Sequence, residues 1–421
     1  MRADGTGGSG FAWGGWGGWI WFALALLLAP LIFDQGASIS LLSQMATAML
    51  LALSYNMLLG QGGMLSFGHA VYSGLGAFAT IHVLNRAAGG AWPMPAAPIP
   101  VTLMPVVGGL GGMAAAAVLG FVAARKAGTV FAMITLGMTE LVAACALMFP
   151  GWFGGEGGIS GNRVIGAPVF GIDYSTPIQL YYLIAGWLLL SALAMYGFTR
   201  TPLGRILNAV RDNPERAEFI GYDPRRVRYL TQIVSAFFAG IAGALAALNF
   251  EIASAENVGA LQSATILLFT YIGGIGYFHG PMLGAAIGVL FSVLAARYSS
   301  AWQLYLGMFF MAIVMRAPDG VAGLIARAAR AASAASASGG ARPIASWRRL
   351  LGASLSGLIG LAGMILLVEL AYRHAAGSAY ATTLRLFGLL LDSAQPMPWA
   401  AATAMLAAGL LGWRLANGAS A

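Results

Sequence analysis

Charge is scarce in this chain. Only 9% of its 421 residues are Asp, Glu, Lys or Arg, while 59% are hydrophobic and the mean hydropathy is +0.78. Soluble domains carry roughly 25% charged residues, so this chain cannot cover a water-facing surface. Apolar runs near the length needed to cross a bilayer core of about 30 Å recur along it. The fold class that follows is an all-α polytopic membrane protein. Lysine is nearly absent: the basic residues are 21 Arg and the single Lys126. A Walker A motif needs Gly-Lys-Ser/Thr, and Lys126 stands between Arg125 and Ala127. The chain therefore binds no nucleotide through a P-loop, and no cofactor is expected on it. One cysteine, Cys145, excludes an intrachain disulfide and reads as a small packed hydrophobe. The four histidines are scattered and HExxH is missing, so no metal site is expected. Nothing supplies the nucleophile, metal or acid pair of a membrane enzyme.

The net charge of +8 reads as loop charge on a membrane protein rather than as a nucleic-acid surface. Hydrophobic runs predict about ten core spans, near 18–33, 38–59, 64–84, 101–124, 128–149, 176–198, 230–250, 259–276, 281–297 and 301–316. Two more are expected near 350–371 and 398–414. Placing the polar stretch 200–229 in the cytoplasm fixes the other loops by alternation. Of the basic residues, 17 then fall inside and 5 outside, the bias of the positive-inside rule. The N-terminus falls inside. The Gly- and Trp-rich start, followed by Asp34 and a further span, fits an uncleaved first helix. Residues 331–347, AASAASASGGARPIASW, read as a small-residue flexible linker before a C-terminal extension at 348–421.

The polar stretch is the most unusual segment. Arg200, Arg205, Arg211, Arg216, Arg225, Arg226 and Arg228 stand among Asp212, Glu215, Glu218 and Asp223. Leu203, Ile206, Leu207 and Val210 have the spacing of one apolar helix face. Asn213-Pro214 breaks the run as an N-cap and first helical residue, and Gly221 ends a second short helix. An amphipathic helix at that surface either rests on lipid headgroups or fills a groove on a partner protein.

Three further segments carry polar or glycine-rich interruptions. In ALSYNMLLGQGGMLSFGHAVYSGLGAF, Gly60, Gln61, Gly62, Gly63, Ser66, His69 and Tyr72 interrupt an apolar run. Such a cluster signals either unwound backbone, which often lines a substrate path, or tight helix contact. The turn GGEGGISG reads as a gate or a plain turn, with Glu156 on it. Glu140 falls mid-span in FAMITLGMTELVAACALM. A carboxylate at that depth is expected to face the bundle interior, paired or protonated.

Seven blocks in register resemble the membrane permeases of branched-chain amino acid ABC importers: LLGQGGMLSFGHAVYSGLGAF, ITLGMTELV, GGEGGISG, TPLGRILNAVRDNPERAEFIGYDPRRVR, SAFFAGIAGALAAL, YIGGIGYFHGPMLGAA and MRAPDGVAGLI. The resemblance covers roughly 38–330 and is to the subunit type that pairs with a second, homologous permease. It implies a bacterial inner-membrane permease with broken or re-entrant segments. It also implies two ATPase subunits that use ATP, an extracytoplasmic solute-binding protein, and alternating access. The stretch from Arg200 then matches the ATPase-coupling loop, with Gly204, Arg205, Ala209, Arg211 and Gly221 at matching positions. The candidate pathway residues are Gly60, Gln61, Gly62, Gly63, Ser66, His69, Tyr72 and Glu140. Related permeases also carry urea, short amides or aromatic acids, and the family usually stops near RAPDGVAGLI, before the extension here. The competing class is an ion-coupled secondary transporter or channel, for which Glu140 and Glu369 are the available carboxylates.

Overall fold

The computed structural model describes residues 16–33, 35–89, 99–164, 173–299, 301–338, 344–376, 383–386, 389–392 and 395–418. They fall into two units: Met1–Phe291 with Met308–Ala329, and Ser292–Gly307 with Arg330–Ala421.

The first unit opens with α1 (Trp16–Ile32) and α2 (Gly36–Asn56), which runs on into a π-helical turn at Met57–Gln61. An irregular segment leads to α3 (His69–Gly89). Then come α4 (Met104–Ala123), α5 (Gly128–Met148) and the single turn α6 (Pro150–Phe153). After β1 (Ile159–Ser160) follow α7 (Pro177–Arg200), α8 (Pro202–Asp212), α9 (Pro214–Phe219) and α10 (Pro224–Phe250). The unit continues through β2 (Ile252–Ala253), α11 (Ala260–Gly273), α12 (Gly280–Tyr298), α13 (Trp302–Arg316) and α14 (Gly320–Ser338), the last three leaving and re-entering it.

At its centre is α10, the most buried span, packed on α2, α3 and α4. Its inner half is small: Ala236, Ala239, Gly240, Ala242, Ala244 and Ala247 are all buried. Small residues let helix backbones approach where lipid offers no hydrophobic drive. At Gly240 a Cβ would stand 2.9 Å from the Gly108 carbonyl carbon and 3.0 Å from Gly109 Cα.

Seven described helices are long and apolar enough to cross a membrane: Gly36–Gln61, Val101–Ala123, Gly128–Met148, Pro177–Arg200, Pro224–Phe250, Gly280–Arg297 and Ser356–Ala375. Helices α13 and α14 qualify only together, bent by 45°. Of the other expected spans, Gly17–Ile32, Ala260–Gly273 and Pro396–Gly412 are shorter apolar helices. Helix α3 has the length, but its Ser, Tyr, His and Gly residues lower its hydropathy.

The second unit holds α15 (Ile344–Ala376), a hairpin of β3 (Thr383–Leu386) and β4 (Leu389–Asp392), and α16 (Pro396–Gly418). Helices α15 and α16 pack closely, with Leu366, Leu370 and Ala402 buried between them. Glu369 is buried on α15; Ser299 Oγ donates to it at 2.8 Å, Tyr305 OH lies at 3.4 Å and Arg373 Nε at 3.9 Å. The expected flexible linker 331–347 is corrected at both ends. Residues 331–338 continue α14 and 344–347 begin α15, while 339–343 lie outside the described residues. Alanine, which dominates that run, is the strongest helix former.

Gly240→Val should destabilise the solubilised protein by at least about 1–3 kcal/mol through overpacking. Gly186→Ala, on α7 with no atom near its added methyl, should leave it unchanged. Thermal inactivation of the two variants in detergent reads the difference.

Candidate functional site

Helix α2 does not end in solvent. Its π-helical turn passes into residues 62–68, where Gly62 N–H reaches Leu58 O at 3.1 Å, Gly63 N–H Leu59 O at 3.0 Å and Met64 N–H Leu58 O at 3.0 Å. Gly63 adopts φ +63, a left-handed conformation that favours glycine. Beyond it the freed peptide groups are paired by side chains. Tyr55 OH donates to Ser66 O at 2.9 Å, and Gly68 N–H to Ser66 Oγ at 3.2 Å. From α5, Thr135 Oγ1 accepts from Phe67 N–H at 3.1 Å, and the Thr139 hydroxyl shares its proton between Phe67 O at 3.0 Å and Thr135 O at 2.8 Å. Ala70 N–H, at the start of α3, reaches Ser263 Oγ on α11 at 3.1 Å. The sequence left open unwound backbone or tight packing; the structure has both.

A buried polar layer lies behind the break. His69 and Ser54 are fully buried, and His69 Nε2 is 2.9 Å from Ser54 Oγ. The single Ser54 hydroxyl proton goes to Leu51 O at 2.7 Å. On the other side of the ring, His69 Nδ1 is buried and no partner meets it. Ser235 Oγ, on α10, donates to Ser54 O at 2.7 Å, and Gln232 Nε2 to Tyr72 OH at 2.6 Å. Asn56 Oδ1 and Gln232 Oε1 are also buried without a partner. Three buried polar atoms without partners, two of them amide oxygens, lie around one interruption.

The polar stretch folds onto this break. Thr201, Asn213 and Asp223 cap α8, α9 and α10, each followed by proline in the first turn. The two short helices and the end at Gly221, with φ +92, are where the sequence placed them. The direction of α8 is not. Its apolar side is turned into the chain, with Leu207 and Val210 buried beside Ala217 and Val227, and Leu203 and Ile206 packed against them. That face neither rests on lipid nor fills a foreign groove, because the start of α10 already covers it. Exposed instead are Arg205, Ala209 and the apolar tip Phe219, Ile220 and Tyr222, with Phe219 91% exposed.

Two side chains of α8 reach the break itself. Arg211 Nη1 donates to Gly60 O at 2.6 Å, while its other nitrogens hold Asp212 at 2.9–3.0 Å. Asn208 Nδ2 donates to Gln61 Oε1 at 3.1 Å and to Gly204 O at 3.1 Å. Gly63 lets the Arg211 stem pass: a Cβ there would stand 2.7 Å from Arg211 Cγ. Gly60, Gln61, Gly62, Gly63, Ser66, His69 and Tyr72 are thus brought together with α8 in one cluster.

Glu140 is not part of it. It is exposed on α5, one residue and about 100° round the helix from the inward Thr139. The expectation of an interior, paired carboxylate is corrected: threonines hold the inward face. The GGEGGISG turn is ordered rather than loose. Strand β1 pairs with β2, and Arg163 is tied to Tyr174 O at 3.0 Å, Leu248 O at 3.3 Å and, through its backbone N–H, Glu251 at 3.1 Å. Glu156 is exposed on that turn. Missed by the sequence reading were Tyr55, Ser54, Thr135, Thr139, Gln232, Ser235 and Asn208. Their signal was present as polar residues inside apolar runs.

The arrangement is that of a polytopic membrane protein whose α2–α3 connection is clasped by the short polar helix α8. The chain belongs to the family of permease components of branched-chain amino acid transport systems, whose family model matches residues 38–317. It is 29% identical over 294 residues to the high-affinity branched-chain amino acid transport system permease protein LivM of Escherichia coli (65% of this chain, 67% of that protein). It is 28% identical over 326 residues to LivM of Salmonella typhimurium (71% and 74%). Over 134 residues it is 29% identical to a probable branched-chain amino acid transport permease protein LivH of Methanocaldococcus jannaschii (30% and 42%). No solved structure matches it.

Tyr55→Phe removes the hydroxyl that satisfies Ser66 O and should cost about 1 kcal/mol of stability. A melt of the purified protein followed by circular dichroism checks this, with Tyr222→Phe, an exposed tyrosine, as the neutral control.

Proposed function

We propose that this chain is one of two permease subunits of an ATP-driven importer for branched-chain amino acids or related small amphipathic solutes. It works by alternating access in a bacterial inner membrane, with its N-terminus in the cytoplasm. A second, homologous permease completes the path, an extracytoplasmic binding protein delivers the solute, and two ATPase subunits hydrolyse ATP. Family membership favours this reading over the ion-coupled alternative. The observation that carries the mechanism is the Arg211–Gly60 bond, which joins α8 to the interrupted span.

In this reading the ATPase grips the exposed tip Phe219–Tyr222 and the charged side of α8. Because the apolar side of α8 is packed on its own chain, a pull on the tip moves α8 as a rigid lever. Arg211 and Asn208 carry that displacement to Gly60 and Gln61. The interrupted segment is the element best able to change there, since its backbone leaves the helical pattern over 65–68. Binding free energy in the partner ATPases, not covalent chemistry in this chain, selects between the outward and inward states. The unmet acceptors Asn56 Oδ1 and Gln232 Oε1 supply sites for a solute ammonium group once the layer opens.

Two sets of variants test the scheme in proteoliposomes holding the assembled complex. Phe219→Asp with Ile220→Asp should abolish co-purification of the ATPase subunits. Arg211→Ala with Asn208→Ala should keep co-purification and ATP hydrolysis while uptake of leucine falls about 10-fold or more, since a charge-assisted bond is worth about 1.5–3 kcal/mol. Failure of any ATPase subunit to associate with the wild-type chain would falsify the importer reading.

A further inference from the structure

The outward face of α5 differs from those of α4 and α7 in carrying a carboxylate mid-helix. Helix α5 turns Phe131, Ala132, Thr135, Thr139 and Ala146 inward. Outward it shows Met133, Gly137, Glu140, Leu141, Ala144 and Leu147. It is the least buried of the unbroken spans of the first unit. On α4 the outward residues are apolar, among them Leu110, Val118 and Phe121, and on α7 they are Ile178, Leu190 and Leu193. Those faces suit lipid tails. The face of α5 carries a carboxylate, and no side chain of the described residues bonds or pairs with it.

Glu140 lies about 18 Å from the start of α5 and about 12 Å from its end. It is too deep for its short side chain to snorkel to either interface. A carboxylate at that depth is costly against hydrocarbon and is found facing protein or water. The exposed stripe runs the length of the helix, which fits a second helix rather than a small solute. Gly137, with open space beside it, and Ala144 lie on the same stripe and permit close backbone approach. A second copy of this chain is the wrong occupant: a two-fold interface sets the same patch against itself, and Glu140 would face Glu140.

We propose that this α5 face seats a transmembrane helix of the second permease, which brings a hydrogen-bond donor or a basic side chain to Glu140. The placement rests on the two-permease reading above. It adds which face is used and what the partner must carry.

The test uses the full complex in native membranes. A photoreactive p-benzoylphenylalanine is placed at Met133, at Ala144 or, as a lipid-facing control, at Leu190. Co-purification of the two permeases is read separately on unirradiated samples. Positions 133 and 144 should crosslink to the second permease and position 190 should not. Glu140→Leu should lower recovery of the second permease about 10-fold, and Glu140→Gln, which keeps an acceptor, by much less. Crosslinks from 133 and 144 only to lipid, or to another copy of this chain, in a complex that still co-purifies overturn the placement and leave the two-permease reading intact. Absence of co-purification from the wild type overturns both.

Discussion

No peptide group can be left unpaired in hydrocarbon, and this constraint organises the first unit. The break between α2 and α3 frees backbone groups in a largely buried segment, so neighbours must supply partners. Tyr55, Ser66, Thr135, Thr139 and Ser263 do so with hydroxyls, and Arg211 with its guanidinium. Helices α5 and α11 and the α8 segment are therefore held by one interruption. The glycine-rich contacts of α3, α4 and α10 bring the same region close enough for those short side chains to reach. Removing the break would leave these polar groups without work and the helices without a common anchor.

The polar stretch follows the same economy. Three helices start in succession, each with a capping side chain and an early proline, so the chain reverses direction without loose backbone. Burying Leu207 and Val210 under the start of α10 makes the loop stiff. Charge is then free to serve two purposes: Arg211 turns inward to a carbonyl, while Arg205 and Arg216 stay exposed.

Much of this was legible in the residues. Nine per cent charge decided the class, Asn213-Pro214 located the α8–α9 break, and the glycine cluster at 60–63 marked the interrupted span. What was not legible depends on direction. Periodicity says that Leu203, Ile206, Leu207 and Val210 share a face, but not whether kin or stranger covers it. Mid-span polarity flagged Glu140, yet its neighbour Thr139 took the inward position, and one residue of rotation separates the two roles. The reach of Arg211 to Gly60 spans 151 residues, beyond any local pattern. The small-residue run after residue 330 misled because Ala and Ser are common to linkers and helices, and helix propensity won.

The partners of the break also have an order in time. Tyr55 and Ser66 leave the ribosome with it, but Thr135, Thr139, Arg211 and Ser263 follow much later. Until residue 263 has been made, the backbone from Gly60 to Ala70 lacks its full set of bonds. Pairing over such long sequence separations is slow to form. A chain truncated before α11 would therefore present its unfinished centre to the membrane's proteases, and completeness of synthesis is itself checked by the fold.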